Sequence, residues 1–114
     1  MITIYGIPNC DTMKKARAWL DKHGVDYRFH DYKKEGVPAK AVQQWIKQVG
    51  TEVLVNKRGT TWRKLPDADK ESLNNKTAAK LMQDNPSLIK RPVLDIDGEI
   101  TMGFSDSDYK ALFK

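Results

Sequence analysis

The sequence predicts an α/β fold in which a β-α-β unit, a helical insertion and a β-β-α unit share one mixed, four-stranded sheet. Three observations lead there. An alternating run at residues 2–5 (ITIY) is followed by helical periodicity and then by a second alternating run. The block from Pro38 to Asn85 is helical in pattern and shows no alternation. Two further alternating runs meet at Asp97-Gly98, a pair that favours a tight hairpin.

The β-branched and aromatic residues of 2–5 suit a strand, and Gly6, Pro8, Asn9 and Asp11 make the next segment a turn-rich loop. From Thr12 to His23, Met13, Ala16, Trp19 and Leu20 recur at helical spacing, and Gly24 stands where a helix ends. Val25, Tyr27 and Phe29 alternate with Asp26, Arg28 and His30, giving a second strand. Strand, helix and strand in that order favour a right-handed parallel unit.

Within the insertion, a helix is expected from Pro38 to about Val49, closed by Gly50. Residues 51–66 are mixed, with Gly59 and Pro66 as breakers. Asp67 is expected to cap a helix over 68–74, and a further helix covers 77–84 until Pro86 stops it. Strands at 93–96 and 99–102 flank the Asp97-Gly98 turn, and Ser105 is placed to cap a last helix over 106–113. One domain over 1–114 is expected, with the insertion at about 38–88.

Composition narrows the function classes. Lys and Arg total 20 against 15 Asp and Glu, a net charge of +5 that favours anionic partners. The basic residues are scattered, so a solvated surface explains most of them and nucleic acid is disfavoured as a partner. No apolar run reaches the roughly 20 residues a membrane helix needs. MITIYGIPNC does not read as a secretory signal, so a cytoplasmic protein is expected. No spacing suits a metal site and no Gly-rich loop suits a nucleotide.

The chain has one cysteine, Cys10, directly before a predicted helix start. The first amides of a helix have no internal partners and carry partial positive charge. A thiolate placed there accepts hydrogen bonds and is stabilised, which makes it the reactive form. The alternative is a small buried hydrophobe. Three residues on stands Met13, so C-D-T-M lacks the second thiol of a C-x-x-C pair. A catalytic Cys10 would therefore need an outside thiol to release its product, and glutathione is the obvious choice in a cytoplasm.

The loop G-I-P-N-C-D-T-M-K-K-A, the segment N-K-R-G-T-T-W-R-K-L (56–65) and the run L-I-K-R-P-V-L (88–94) resemble the arsenate reductase (ArsC)/Spx superfamily, and most of all its YffB branch. The resemblance spans essentially the whole chain. It implies a thioredoxin-like fold, Cys10 as nucleophile, and Arg91 as the arginine that binds an anionic substrate. Pro92 resembles the cis-proline that such folds set against the active-site loop, and Arg58 matches a basic residue of the YffB and Spx pattern. In two places the chain departs from glutaredoxin-coupled arsenate reductases. Gly6 stands where those enzymes carry a histidine, and Gly103-Phe104 stand where they carry a further arginine. Both departures weigh against efficient arsenate reduction.

Other residues are judged on their chemistry. The guanidinium fork of Arg91 fits a carboxylate or oxyanion and would also stabilise a neighbouring thiolate. Arg58 and, less strongly, Arg63 are further candidates for lining the cleft. Asn9 and Thr12 either bond the substrate or thiolate or cap the helix, and capping is the commoner use. Lys14 and Lys15 are expected to point to water, the alternative being that they add positive potential near the cleft. His23 and His30 are read as structural. Trp19, Trp45 and Trp62 fill contacts between helices and sheet, with Trp62 the one expected to shape the cleft.

The sequence thus favours a monothiol, glutathione-dependent oxidoreductase acting on a small anionic or disulfide substrate. It would bind no cofactor or metal and use glutathione, or a glutaredoxin-like donor, as co-substrate. The alternative is an Spx-like regulator that binds RNA polymerase without turnover, and a third is a genuine arsenate reductase.

Overall fold

A computed structural model describes residues 1–71 and 73–113, and the chain divides into two compact units. Met1–Glu35 with Arg91–Lys114 form one, and Gly36–Lys90 form the other.

In the first unit, β1 (Ile2–Gly6) lies at the centre of the sheet. Strand β2 (Arg28–Asp31) pairs with it in parallel, with Tyr5 opposite His30 and Gly6 opposite Asp31. On its other side β3 (Val93–Ile96) runs antiparallel, Tyr5 opposite Val93, and β4 (Glu99–Met102) completes the order β2-β1-β3-β4. The mixed four-stranded sheet and the α/β class are those the sequence predicts. Asp97 and Gly98 both take positive φ, 52° and 98°, as a two-residue turn between twisted strands requires.

Helix α1 (Asp11–Lys22) turns Met13, Ala16, Trp19 and Leu20 inward, the same four residues that carry the periodicity. With Ile4, Leu94 and Tyr109 they form the core of this unit. The second strand begins three residues later than its alternation suggests, and the helix terminus explains the delay. Gly24, at φ 68°, donates to Asp21 O, and Val25 donates to Leu20 O, so the Val25 amide closes α1 and does not join the ladder. Val25, Tyr27 and Phe29 still pack on the core, which is what their pattern encodes.

A short helix that the sequence did not signal, α2 (Tyr32–Glu35), follows β2 directly. The buried Asp31 accepts from the Lys33 amide at 2.9 Å and so starts its turn.

The second unit is helical: α3 (Ala39–Val49), α4 (Thr51–Leu54), α5 (Thr60–Lys64), α6 (Asp67–Glu71) and α7 (Asn75–Asp84), then a 3₁₀ turn at Pro86–Leu88. Two boundaries differ from expectation. The Lys70 amide bonds Pro66 O, so Pro66, not Asp67, stands before the first turn of α6. Of the helix expected over 68–74, position 72 lies outside the described residues, and Asn74 serves α7 instead. Its side chain accepts from the Lys76 and Thr77 amides while its own amide donates to Thr77 Oγ1. This capping box starts α7 two residues before the expected Thr77.

Back in the first unit, α8 (Asp106–Leu112) is capped by Ser105, whose hydroxyl accepts from the Asp108 amide at 3.1 Å. Trp19 Nε1 donates to Asp106 Oδ1 at 2.7 Å and ties α1 to α8. No helix among the described residues is long and apolar enough to cross a membrane.

Candidate functional site around Cys10

Cys10 occupies the N-cap position of α1 with extended backbone, φ −117° and ψ 128°, and its carbonyl accepts the first helical bond from the Lys14 amide at 3.0 Å. The side chain is half-buried and touches the edge of the core. The neutral thiol makes no regular cap hydrogen bond, so α1 starts without the side-chain oxygen that usually serves its first amides. Those amides act on the sulfur instead.

Two influences oppose each other there. Partial burial pushes the thiol pKa up. The Met13 amide, the Arg91 guanidinium as both hydrogen-bond donor and charge, and the Thr12 amide all pull it down, and together they prevail. The Cys10 thiol therefore ionises below its ordinary value.

Arg91 arrives from the other end of the chain. The Arg91–Pro92 peptide is cis, and Pro92 is buried, its carbonyl accepting from the Gly103 amide at 2.9 Å. This junction precedes β3 at the end of the sheet where β1 runs out into the Cys10 loop. Sequence separation hides the arrangement, whereas the β1–β3 register enforces it.

Gly6 and Met13 share one space. A Cβ at Gly6 would lie 2.4 Å from Met13 Sδ and 2.8 Å from its Cε, and Met13 is fully buried. The position where a resolving cysteine would stand thus carries a thioether packed over Gly6. For the same reason a larger side chain at position 6 displaces Met13.

Thr12 contributes through its backbone amide, and Asn9 is exposed in the loop just before the cysteine. Arg58 belongs to the helical unit, is exposed, and its amide donates to Asn56 Oδ1. Trp62 lies in that same unit, with the ammonium groups of Lys57 and Lys70 5.5 and 5.9 Å from its ring centre. His23 stacks on Trp19 at 3.8 Å and its Nδ1 lies 2.8 Å from Trp19 O. His30 is buried against Tyr5, ring centres 4.9 Å apart. Both histidines thus sit in packed aromatic contacts. The sequence reading passed over Tyr32, a 3% exposed residue on which the Arg91 charge acts. Its only signal was a tyrosine directly after a strand, which is weak.

Comparison with known proteins places these features in a wider set. Residues 5–112 match the ArsC family. A protein of unassigned function from Haemophilus influenzae is 47% identical, with 99% of each chain covered. The global transcriptional regulator Spx of Staphylococcus epidermidis is 29% identical over 96% of this chain and 85% of its own. Among solved structures, a YffB protein is 46% identical over 97% of both chains with a TM-score of 0.94. An arsenate reductase (ArsC)-related protein from Brucella melitensis is 52% identical, covering 99% of this chain and 94% of its own, with a TM-score of 0.77.

Proposed function

This chain belongs to the ArsC family, and on that premise we propose that it is a monothiol oxidoreductase with Cys10 as nucleophile and glutathione as co-substrate. One observation carries the reading: the Cys10 sulfur lies where the opening amides of α1 and the Arg91 guanidinium together favour the thiolate.

The chemistry closes without a second cysteine. The Cys10 thiolate attacks the glutathione sulfur of a mixed disulfide, forming a Cys10–glutathione disulfide and expelling the substrate as thiolate. A second glutathione thiolate attacks the glutathione sulfur of that adduct, releasing oxidised glutathione and restoring the Cys10 thiolate. The net change is one of thiol–disulfide exchange. The single free glutathione consumed joins the glutathione of the mixed disulfide as oxidised glutathione, the substrate sulfur leaves reduced, and the proton lost by the incoming thiol is taken up by the departing thiolate. Arg91 orients an anionic group of the ligand beside the sulfur. Met13, a thioether, offers no internal thiol to compete with the incoming one.

The direct test is glutathione-dependent reduction of a glutathionylated peptide by the wild-type chain and by Cys10→Ser. Turnover in the wild type and none in the serine variant supports the proposal, and equal rates refute it.

The 29% identity to Spx across nearly the whole chain favours a second reading, a regulator that binds RNA polymerase. Here Met13 rules out a Cys10–Met13 disulfide switch, so any such binding would not be gated by an internal disulfide. Recovery of the polymerase α subunit on immobilised chain, with no thiol turnover, would favour the regulator. Arsenate reduction has less support, because Gly6 and Met13 together occupy the place of the histidine that the resemblance would require.

A further inference from the structure

Three segments reach the same end of the sheet. Strand β1 leaves it towards Cys10, and the Arg91–Pro92 junction enters β3 opposite Tyr5. Strand β2 ends there at Asp31, opposite Gly6, so that Tyr32 is the next residue. Tyr32 is held by aromatic neighbours, Tyr5 stacked at 6.4 Å and His30 edge-on at 5.9 Å between ring centres. It is only 3% exposed, and its hydroxyl has no hydrogen-bond partner among the described residues. Most buried hydroxyls are bonded, so this one calls for a partner.

A second buried tyrosine supplies the contrast. The Tyr109 hydroxyl also lacks a partner among the described residues, but its surroundings are the rings of Trp19, Phe104 and Phe113. Burial alone raises its pKa. Burial raises that of Tyr32 as well, and the Tyr5 hydroxyl adds to the rise, yet the Arg91 charge also acts on it. One hydroxyl is surrounded by aromatic rings and acted on by no charge, whereas the other, equally buried, begins the segment after β2 at the Cys10 end of the sheet and is within reach of the Arg91 charge.

We propose that Tyr32 is a ligand-binding residue of the Cys10 site, its hydroxyl donating a hydrogen bond to the anionic oxygen, carboxylate or oxyanion, that Arg91 attracts. This inference rests on the reading of Cys10 as a thiolate nucleophile with Arg91 as its anion partner. The division of labour is physical. Arg91 supplies the charge, and Tyr32 supplies a neutral donor that remains protonated at any working pH and is fixed by ring packing. A rigid donor with no acceptor in the free protein loses little on meeting one.

The test compares Cys10 alkylation by iodoacetate, which carries a carboxylate, with alkylation by neutral iodoacetamide. The full chain is used as wild type, Tyr32→Phe and Tyr109→Phe. The ratio of the two rates cancels changes in thiol ionisation. Tyr32→Phe is expected to lower the iodoacetate-to-iodoacetamide ratio roughly tenfold, the size of one hydrogen bond to a charged group. Tyr109→Phe should leave the ratio unchanged. An unchanged ratio in Tyr32→Phe, or an equal fall in Tyr109→Phe, overturns the proposal. So does a Tyr32→Phe protein that melts well below wild type, because its hydroxyl would then be bonded within the fold. A wild-type thiol with an ordinary titration midpoint would defeat the underlying reading too, whereas a depressed midpoint with an unchanged ratio defeats only the role of Tyr32.

Discussion

At the start of α7 the Asn74 side chain accepts from two opening amides and Thr77 returns a bond to the Asn74 backbone, while at the start of α1 Cys10 stands in the equivalent position and provides no such oxygen. The same peptide geometry serves two ends. In α7 the unpaired amides are consumed in holding the helix. In α1 they are left to act on a sulfur, joined by a guanidinium from the far end of the chain. A helix start that is weakly capped for stability is thereby a stronger site for an anion.

Breaking the open start should have the largest effect. Cys10→Ser is expected to abolish thiol turnover, measured as glutathione oxidation. Because serine is a better N-cap than cysteine, the variant should melt at or slightly above the wild-type temperature at a pH low enough to keep the Cys10 thiol neutral, where the thiolate adds nothing to stability. Loss of turnover together with a lowered melting temperature at that pH would indicate a structural cysteine.

Next comes Arg91→Ala, which removes both a hydrogen bond to the sulfur and a neighbouring charge. The alkylation midpoint of Cys10 should rise, and binding of an anionic ligand should weaken by roughly tenfold or more. The sign for stability follows from the same cause. A thiol whose folded pKa is depressed contributes stability above its unfolded value and loses it as the pH falls through the folded value. Urea denaturation of the wild type should therefore show a contribution that grows with pH through this interval, and Arg91→Ala should flatten it.

Gly6→Ala sharpens the comparison from beneath. The new methyl group presses on Met13, whose amide faces the sulfur, and overpacking of this kind costs about 1–3 kcal/mol. Thermal melting should show the loss, and Gly6→Ala with Met13→Ala should recover part of it. At α7, Asn74→Ala should cost about 1 kcal/mol in denaturant unfolding and leave the Cys10 titration midpoint where it was. A shift of that midpoint would mean that the two helix starts are not independent.

Much of this architecture was legible in the residues. The four inward positions of α1, the Asp97-Gly98 hairpin and the Ser105 cap each express a local rule, and each is in place. What escaped depended on bonds between residues that local patterns do not display. The delayed start of β2 comes from the Val25 amide returning to Leu20, and the early start of α7 from an Asn-x-x-Thr box in place of the usual Ser/Thr-x-x-Glu. For the site, Cys10 was legible from its place before a helix. The pairing of Arg91 with it first entered as a family resemblance, and the sheet register now supplies the physical reason. Tyr32 was not legible, because only strand pairing brings it to the Cys10 end of the sheet. Nor was the dependence of Met13 on Gly6, which is a matter of a few ångströms of packing.

The most direct measurement is the rate of Cys10 alkylation by iodoacetamide across pH. The account predicts a midpoint clearly below the roughly 8.5 of a free cysteine, moving upward in Arg91→Ala. A midpoint at or above that value, unmoved by loss of the guanidinium, would contradict it.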